Sequence, residues 1–135
     1  MRGKKAIFEK FISLFQKRHY EDLLSLVDPK FSWELKGIPA WKGKYNLKKM
    51  LALYGRLQRT ADIKMHVKLQ RLIFADKYAV AHLSQSVKEY GQLHTIDAIW
   101  MMELNRSGNK LLRIQSFLLA SPEIQSYAEM LKAAA

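Results

Sequence analysis

Four side chains in this sequence have chemistry suited to moving a proton: Glu34, His82, Ser84 and Ser116. A carboxyl group placed in an apolar pocket is pushed toward its protonated form and can then act as a general acid or base near neutral pH. Glu34 lies in the stretch Phe31-Ser32-Trp33-Glu34-Leu35. Strand periodicity puts Phe31, Trp33 and Leu35 on one side and Ser32 and Glu34 on the other. An imidazole beside hydroxyl groups can pass a proton or orient a carbonyl. If the hairpin over residues 78–104 centres near Gly91, His82 faces Trp100 and Ser84 shares that side. The next strand adds Ser116 to the same face. Each group has a plainer reading: Glu34 as a solvent-facing partner of nearby lysines, and His82 as a hydrogen-bonded interior histidine. Nothing marks a nucleophile elbow, so serine and histidine together do not make a triad. Asp97 has the opposite parity from Trp100 and, in this register, falls near Gln85 on the outer side of the sheet, at the expected dimer surface; a slip of one residue would bring it into the pocket. The chain has 4 histidines without paired-ligand spacing and no cysteine, so neither a metal site nor a cofactor is expected.

The elements that must position these groups follow from hydrophobic periodicity. Ile7, Phe8, Phe11, Ile12 and Phe15 recur at spacings of three and four, which predicts an amphipathic helix over 5–17. Tyr20, Leu23, Leu24 and Val27 predict a short helix over 20–27, closed by Pro29. A strand over 31–35 leads into a loop, Gly37-Ile38-Pro39-Ala40-Trp41-Lys42-Gly43. A third helix is predicted over roughly 46–58, with Asn46 as its N-cap and Leu47, Met50, Leu51, Tyr54 and Leu57 facing inward. From residue 62 the period changes to two. The apolar positions run Ile63, Met65, Val67 and Leu69, then change parity to Leu72 and Phe74, which predicts a β-bulge. Asp76-Lys77 makes a tight turn, and strands follow over about 78–90, 93–105 and 110–119. In the last hairpin Glu103 should face Arg113. Ser121-Pro122-Glu123 is a helix start, with Ile124, Tyr127, Ala128 and Leu131 as the apolar stripe. The expected architecture is an α+β fold. A curved, largely antiparallel sheet wraps around the N-terminal helices to form a cone whose interior exceeds what the helices fill.

Composition sets the outer limits. With 135 residues, 49% of them apolar and 26% charged, the chain reads as one domain over 1–135, not as a disordered or fibrous protein. Continuous apolar runs such as Ala98–Met102 fall far short of the ~20 residues that cross a bilayer. Arg2, Lys4 and Lys5 open the chain, but Glu9 and Lys10 interrupt the apolar segment that a signal peptide needs. The absence of cysteine fits a reducing compartment, and a cytoplasmic protein is expected. Net charge is +11, and it resides in the first half: 17 of the 23 Lys and Arg, against 6 of the 12 acids, lie in residues 1–71. Lys48, Lys49, Arg56, Arg59, Lys64 and Lys68 offer a surface for nucleic acid or another polyanion, although no nucleic-acid motif accompanies them.

Trp33-Glu34-Leu35-Lys36-Gly37, followed by Trp41-Lys42-Gly43 and the helix from Asn46, resembles the nuclear-transport-factor-2-like superfamily, most closely its SnoaL-like branch. The closing pattern Met102-Glu103-Leu104-Asn105-Arg106-Ser107-Gly108 is similar to that family's last hairpin. The resemblance implies a small-molecule binder, with isomerase or cyclase acid-base chemistry among the activities the fold hosts. In relatives of the ketosteroid isomerase type, an acid near the first strand is the base. Counting back from Gly43 puts Glu34 there, and counting forward from the second helix puts Leu35 there. The family's helix-one tyrosine and strand acid fall near Phe11 and Trp100, so both are replaced. The expectation is therefore a pocket for a small hydrophobic, carbonyl-bearing compound, with Glu34 and His82 as the catalytic pair. Phe11, Phe15, Trp33, Trp41, Tyr54, Ser84, Trp100, Ser116 and Leu118 are the expected lining. The alternatives are a non-catalytic binding module and a basic surface for an acidic partner. Ile99, Met101 and Phe117 share the outer side of the sheet, where they predict homodimerisation.

Overall fold

A computed structural model describes residues 3–36, 42–59, 64–89 and 92–119. Helix α1 (Gly3–Gln16) is followed by the single turn α2 (Tyr20–Leu23) and a 3-10 turn over Leu24–Leu26. Strand β1 (Val27–Lys36), the short β2 (Gly43–Tyr45) and helix α3 (Leu47–Arg59) come next. A meander of β3 (Lys64–Ala75), β4 (Tyr78–Glu89), β5 (Gln92–Leu104) and β6 (Leu111–Leu119) completes the described chain. The strands form one mixed sheet in the order β2-β1-β6-β5-β4-β3. β1 runs parallel to β6 and every other pairing is antiparallel. The sheet does not close, so β2 and β3 are its edges. This is the expected α+β arrangement, a curved sheet around helices.

Several local expectations hold. Asn46 caps α3, its Oδ1 accepting the Lys49 backbone N–H at 2.8 Å. The parity change in β3 is a bulge: the register with β4 jumps between Leu69 and Arg71, leaving Gln70 unpaired in the ladder. Glu103 faces Arg113, with Nη2 to Oε1 at 3.0 Å. The β5–β6 turn takes its shape from Gly108, whose φ of +74° lies in the left-handed region. Asn105 Oδ1 fastens the turn by accepting the backbone N–H groups of Asn109 and Lys110, and Asn105 Nδ2 donates to Asp28 on β1 at 3.1 Å.

The second helix departs from expectation. It stops at Leu23, and β1 already begins at Val27, so Pro29 lies within a strand and does not close a helix. Pro29 is tolerated there because it is exposed and sits where the β1–β6 register shifts, between Val27 and Ser32. The helix expected after Ser121 lies outside the described residues.

The core lies between the sheet's concave face and the helices. Phe11 and Phe15 on α1 meet Trp33 on β1 and Trp100 on β5, and Phe8 and Ile12 on α1 are buried in the same core, all of them 0–2% exposed. The rings form one cluster, with centroid separations from 4.9 Å for Trp33–Trp100 to 6.5 Å for Phe11–Trp100. Bulk on one element is matched by small side chains on another: Ala79, Ala81 and Ala98 supply the inner surface of β4 and β5 and are almost fully buried.

Candidate functional site

The inner face of the sheet is set by three registers. Trp100 stands between Ala81 on β4 and Ser116 on β6, and Ser116 in turn pairs with Leu35 on β1. One row closer to the β5–β6 turn, Ala79, Met102, Ile114 and Trp33 align. In the opposite direction come Leu83, Ala98 and Leu118. Phe11, Phe15, Trp33, Trp100, Ser116 and Leu118, all expected as lining, lie on this buried side. Phe11, Phe15, Trp33 and Trp100 pack against one another, so these four rings form the floor of the concave face. Trp41 and the side chain of Tyr54 lie outside the described residues.

Polar groups are few on this side. Among the described residues, Ser116 and Gln85 are the buried polar side chains. Ser116 Oγ accepts the indole N–H of Trp33 at 2.6 Å, joining β6 to β1. The indole Nε1 of Trp100 is also buried and has no hydrogen-bond partner among the described residues. Gln85, expected beside Asp97 on the outer side, is instead buried on the inner side, 4% exposed. Its signal was its phase, because it continues the inward row of Ala79, Ala81 and Leu83 along β4.

The expected catalytic pair lies elsewhere. β4 and β5 pair His82 with Ile99 and Ala81 with Trp100, one residue away from the register that a turn centred on Gly91 would give. Glu89 pairs with Gln92, so only residues 90 and 91 intervene. A shift of one residue turns a whole strand over. His82 and Ser84 therefore project from the convex face, not toward Trp100. Asp97 keeps its outer position, but its strand partner is Ser84, not Gln85.

On that outer face His82 Nε2 donates to Asp97 Oδ1 at 3.1 Å, since a carboxylate can only accept. Ser84 Oγ donates to the same oxygen at 3.4 Å, and Gln70 Nε2 donates to Ser84 at 3.0 Å. The serine is directed at the carboxylate and not at the imidazole, so the histidine does not activate it. His82 and Asp97 are about half exposed (side chains 42% and 53%).

Glu34 is likewise on the outer face. Its neighbours are Lys44 on β2 and Gln115 on β6. Gln115 Nε2 donates to Glu34 Oε1 at 3.3 Å, and Lys36 Nζ lies 3.9 Å from the same oxygen. The lysine also sits 5.4 Å from the Phe117 ring centroid, a cation–π distance. Glu34 is thus an outer-face ion-pair partner. Leu35, the other residue at the family's catalytic place, faces the core and is 3% exposed. Neither residue puts a carboxylate on the inner face.

Solved structures with this arrangement are numerous. An NTF2-like protein from Burkholderia thailandensis E264 superimposes with a TM-score of 0.75 at 16% identity, covering 96% of this chain and 98% of its own. The chain has the nuclear-transport-factor-2-like fold. Two further structures share it. PrhC from Penicillium brasilianum NBRC 6234 has a TM-score of 0.73 at 12% identity, over 97% of this chain and 87% of PrhC. TerC, co-crystallised with polyporic acid, has a TM-score of 0.69 at 16% identity, over 96% and 98%. No protein-family model matches the sequence, and no curated protein does. At these identities the likeness is one of nuclear-transport-factor-2-like fold, and a fold of this kind does not dictate an activity. Among the described residues no helix is long and apolar enough to cross a membrane, and no group of three or more metal-ligating side chains occurs. Of the basic surface, Lys48 and Lys49 are exposed on the first turn of α3 and Lys68 is exposed on β3. The side chains of Arg56, Arg59 and Lys64 lie outside the described residues.

Proposed function

We propose that this protein holds a small hydrophobic compound on the concave side of its sheet. The observation that supports this reading is the makeup of that side: among the described residues its buried polar side chains are Ser116 and Gln85, and the rest are aromatic and aliphatic. Sites for small apolar ligands have this composition, the apolar part giving affinity and the few polar groups orientation. TerC, which shares the fold, was crystallised with polyporic acid, and this supports the reading. Glu34 and His82 project from the opposite face, so the reading is of a binding protein and not of an isomerase or cyclase driven by that pair.

The outer face favours a second copy of the chain. Ile73, Val80 and Met101 form a row across β3, β4 and β5 and are 54, 39 and 46% exposed. Tyr78 flanks the row on one side, and the Ile99–Phe117 pair flanks it on the other. An apolar patch this continuous, rimmed by ion pairs, suits a two-fold contact between sheets.

Thermal unfolding in the presence of two ligand sets tests the binding reading. One set holds apolar ketones, steroids and quinones, polyporic acid among them. The other holds heparin and short nucleic acids at two salt concentrations. A ligand at 100 times its dissociation constant adds about 2.7 kcal/mol, which raises Tm by about 9 °C in a chain this long. A saturable shift in the apolar set is the expected outcome. A salt-sensitive shift confined to the polyanion set would overturn the reading in favour of the basic surface.

A further inference from the structure

We infer that the outer face of β3 and β4 is a docking surface for single-stranded nucleic acid, with Lys68 and Arg71 holding its phosphates. The surface lies across the sheet from the concave side, so the inference does not depend on the binding reading above. Strand alternation alone would put Arg71 on the wrong side for this role. Val67 and Leu69 pack against the core, and an unbroken strand would carry Arg71 inward with them. The bulge changes that. Gln70 is left out of the ladder, and the register resumes with Arg71 opposite the outward-facing His82. Arg71 is exposed there. Lys68 lies opposite Ser84 and His66 lies opposite Ser86, and Lys68 and His66 are exposed on the same face. Gln70 also points outward, since its Nε2 donates to Ser84 Oγ at 3.0 Å.

The acids that share this face are engaged by other groups. Asp97 Oδ1 accepts from His82 and Ser84, Glu103 is paired with Arg113, and Glu34 accepts from Gln115 and lies beside Lys36. Among the described residues neither Lys68 nor Arg71 forms an ion pair. Two exposed cations on one strand thus stand without a counter-charge, and a phosphate backbone supplies it. Three planar groups lie with them, the imidazoles of His66 and His82 and the Arg71 guanidinium. Such groups stack on unpaired bases. A face several strands wide does not enter the groove of a duplex, which takes a helix or a two-stranded ribbon. A membrane surface would use the charges and leave the planar groups idle.

Fluorescence anisotropy of a short labelled oligouridylate, between about 50 and 200 mM salt, tests the inference. Lys68→Gln/Arg71→Gln removes two charges from the surface. Lys48→Gln/Lys49→Gln removes two from the exposed first turn of α3 and gives the same net charge. The first pair should weaken binding at least about tenfold at the lowest salt. It should also reduce the slope of log affinity against log salt by about 1.4, at about 0.7 for each lost contact. The second pair should leave affinity within about twofold. An independent readout needs no variant: unlabelled single strand should displace the probe from the wild-type protein at a lower phosphate concentration than a duplex or phosphatidylserine vesicles. Equal losses in the two pairs would show attraction by net charge alone and overturn the inference. So would displacement at lower phosphate by the duplex or the vesicles, or no binding of the probe by the wild-type protein at the lowest salt. The concave-side reading stands or falls separately, on the apolar ligand set.

Discussion

Replacing Ser116 with alanine removes a single oxygen from the interior, and its effect can be worked out from the geometry. Ser116 is 1% exposed and its Oγ receives the Trp33 indole N–H at 2.6 Å. Trp33 is itself 0% exposed, so water cannot replace the lost acceptor without entering the aromatic cluster. Leaving a buried donor unsatisfied costs about 1–3 kcal/mol. A central value of about 2 kcal/mol lowers Tm by about 7 °C for 135 residues, using the usual unfolding entropy per residue. Calorimetry on Ser116→Ala, Trp33→Phe and the double variant isolates the bond, because the cycle cancels the volume lost at position 33. Once the donor is gone, Ser116→Ala should cost less than about 0.5 kcal/mol, giving a coupling of at least about 1 kcal/mol. Equal cost in both backgrounds, or a single variant within about 1 °C of wild type, would refute the argument that this hydrogen bond ties β6 to β1.

Other outcomes follow from the same structure. Met101→Glu places a charge in the middle of the exposed outer row, so it should shift sedimentation from dimer to monomer at tens of micromolar (an order-of-magnitude choice) with Tm little changed. A wild-type protein that already sediments as a monomer would contradict the dimer proposal. Asp28 is held below the usual aspartate range by the Lys30 backbone N–H and by Asn105. A lowered folded pKa stabilises above the unfolded value, and that contribution is lost as pH falls below about 4. Denaturation midpoints of Asp28→Asn should therefore fall less between pH 6 and pH 3 than those of wild type. Glu34→Gln and His82→Gln should each leave the affinity of any ligand bound on the concave side within about twofold, as both side chains lie across the sheet from it. Loss of binding by calorimetric titration in either variant would return that residue to the site.

Features that depend on near neighbours in the chain were legible from the sequence. Asn46 at the start of α3, the bulge at Gln70 and the Glu103–Arg113 pair each follow from a local pattern, and each occurs as read. The inward side of β1 and the aromatic stripe of α1 were equally plain, because alternation and helical spacing report which residues share a face. Ser116 and Trp100 were read on the inner side for the same reason.

Which face of β4 turns inward was not decided by local pattern. Tyr78, Val80 and His82 are as plausible a core row as Ala79, Ala81 and Leu83 when β4 is read alone. Two things outside the strand decide it. Only two residues separate the paired Glu89 and Gln92, and the concave side, where Trp33, Trp100, Phe8, Phe11, Phe15 and Phe31 are buried, takes the small Ala79 and Ala81 from β4. That choice of row sent His82 and Ser84 to the outer face and brought Gln85 inside. Trp33 and Ser116 are separated by 83 positions and meet only because β1 and β6 lie parallel in the sheet. Sequence alone thus determined most of the elements, their faces in β1 and β5, and the general fold, but not the end of α2, the start of β1 or the short β2. Tertiary structure decided which polar groups share the concave side, because strand register and the filling of a fixed volume are properties of the whole sheet and of no single segment.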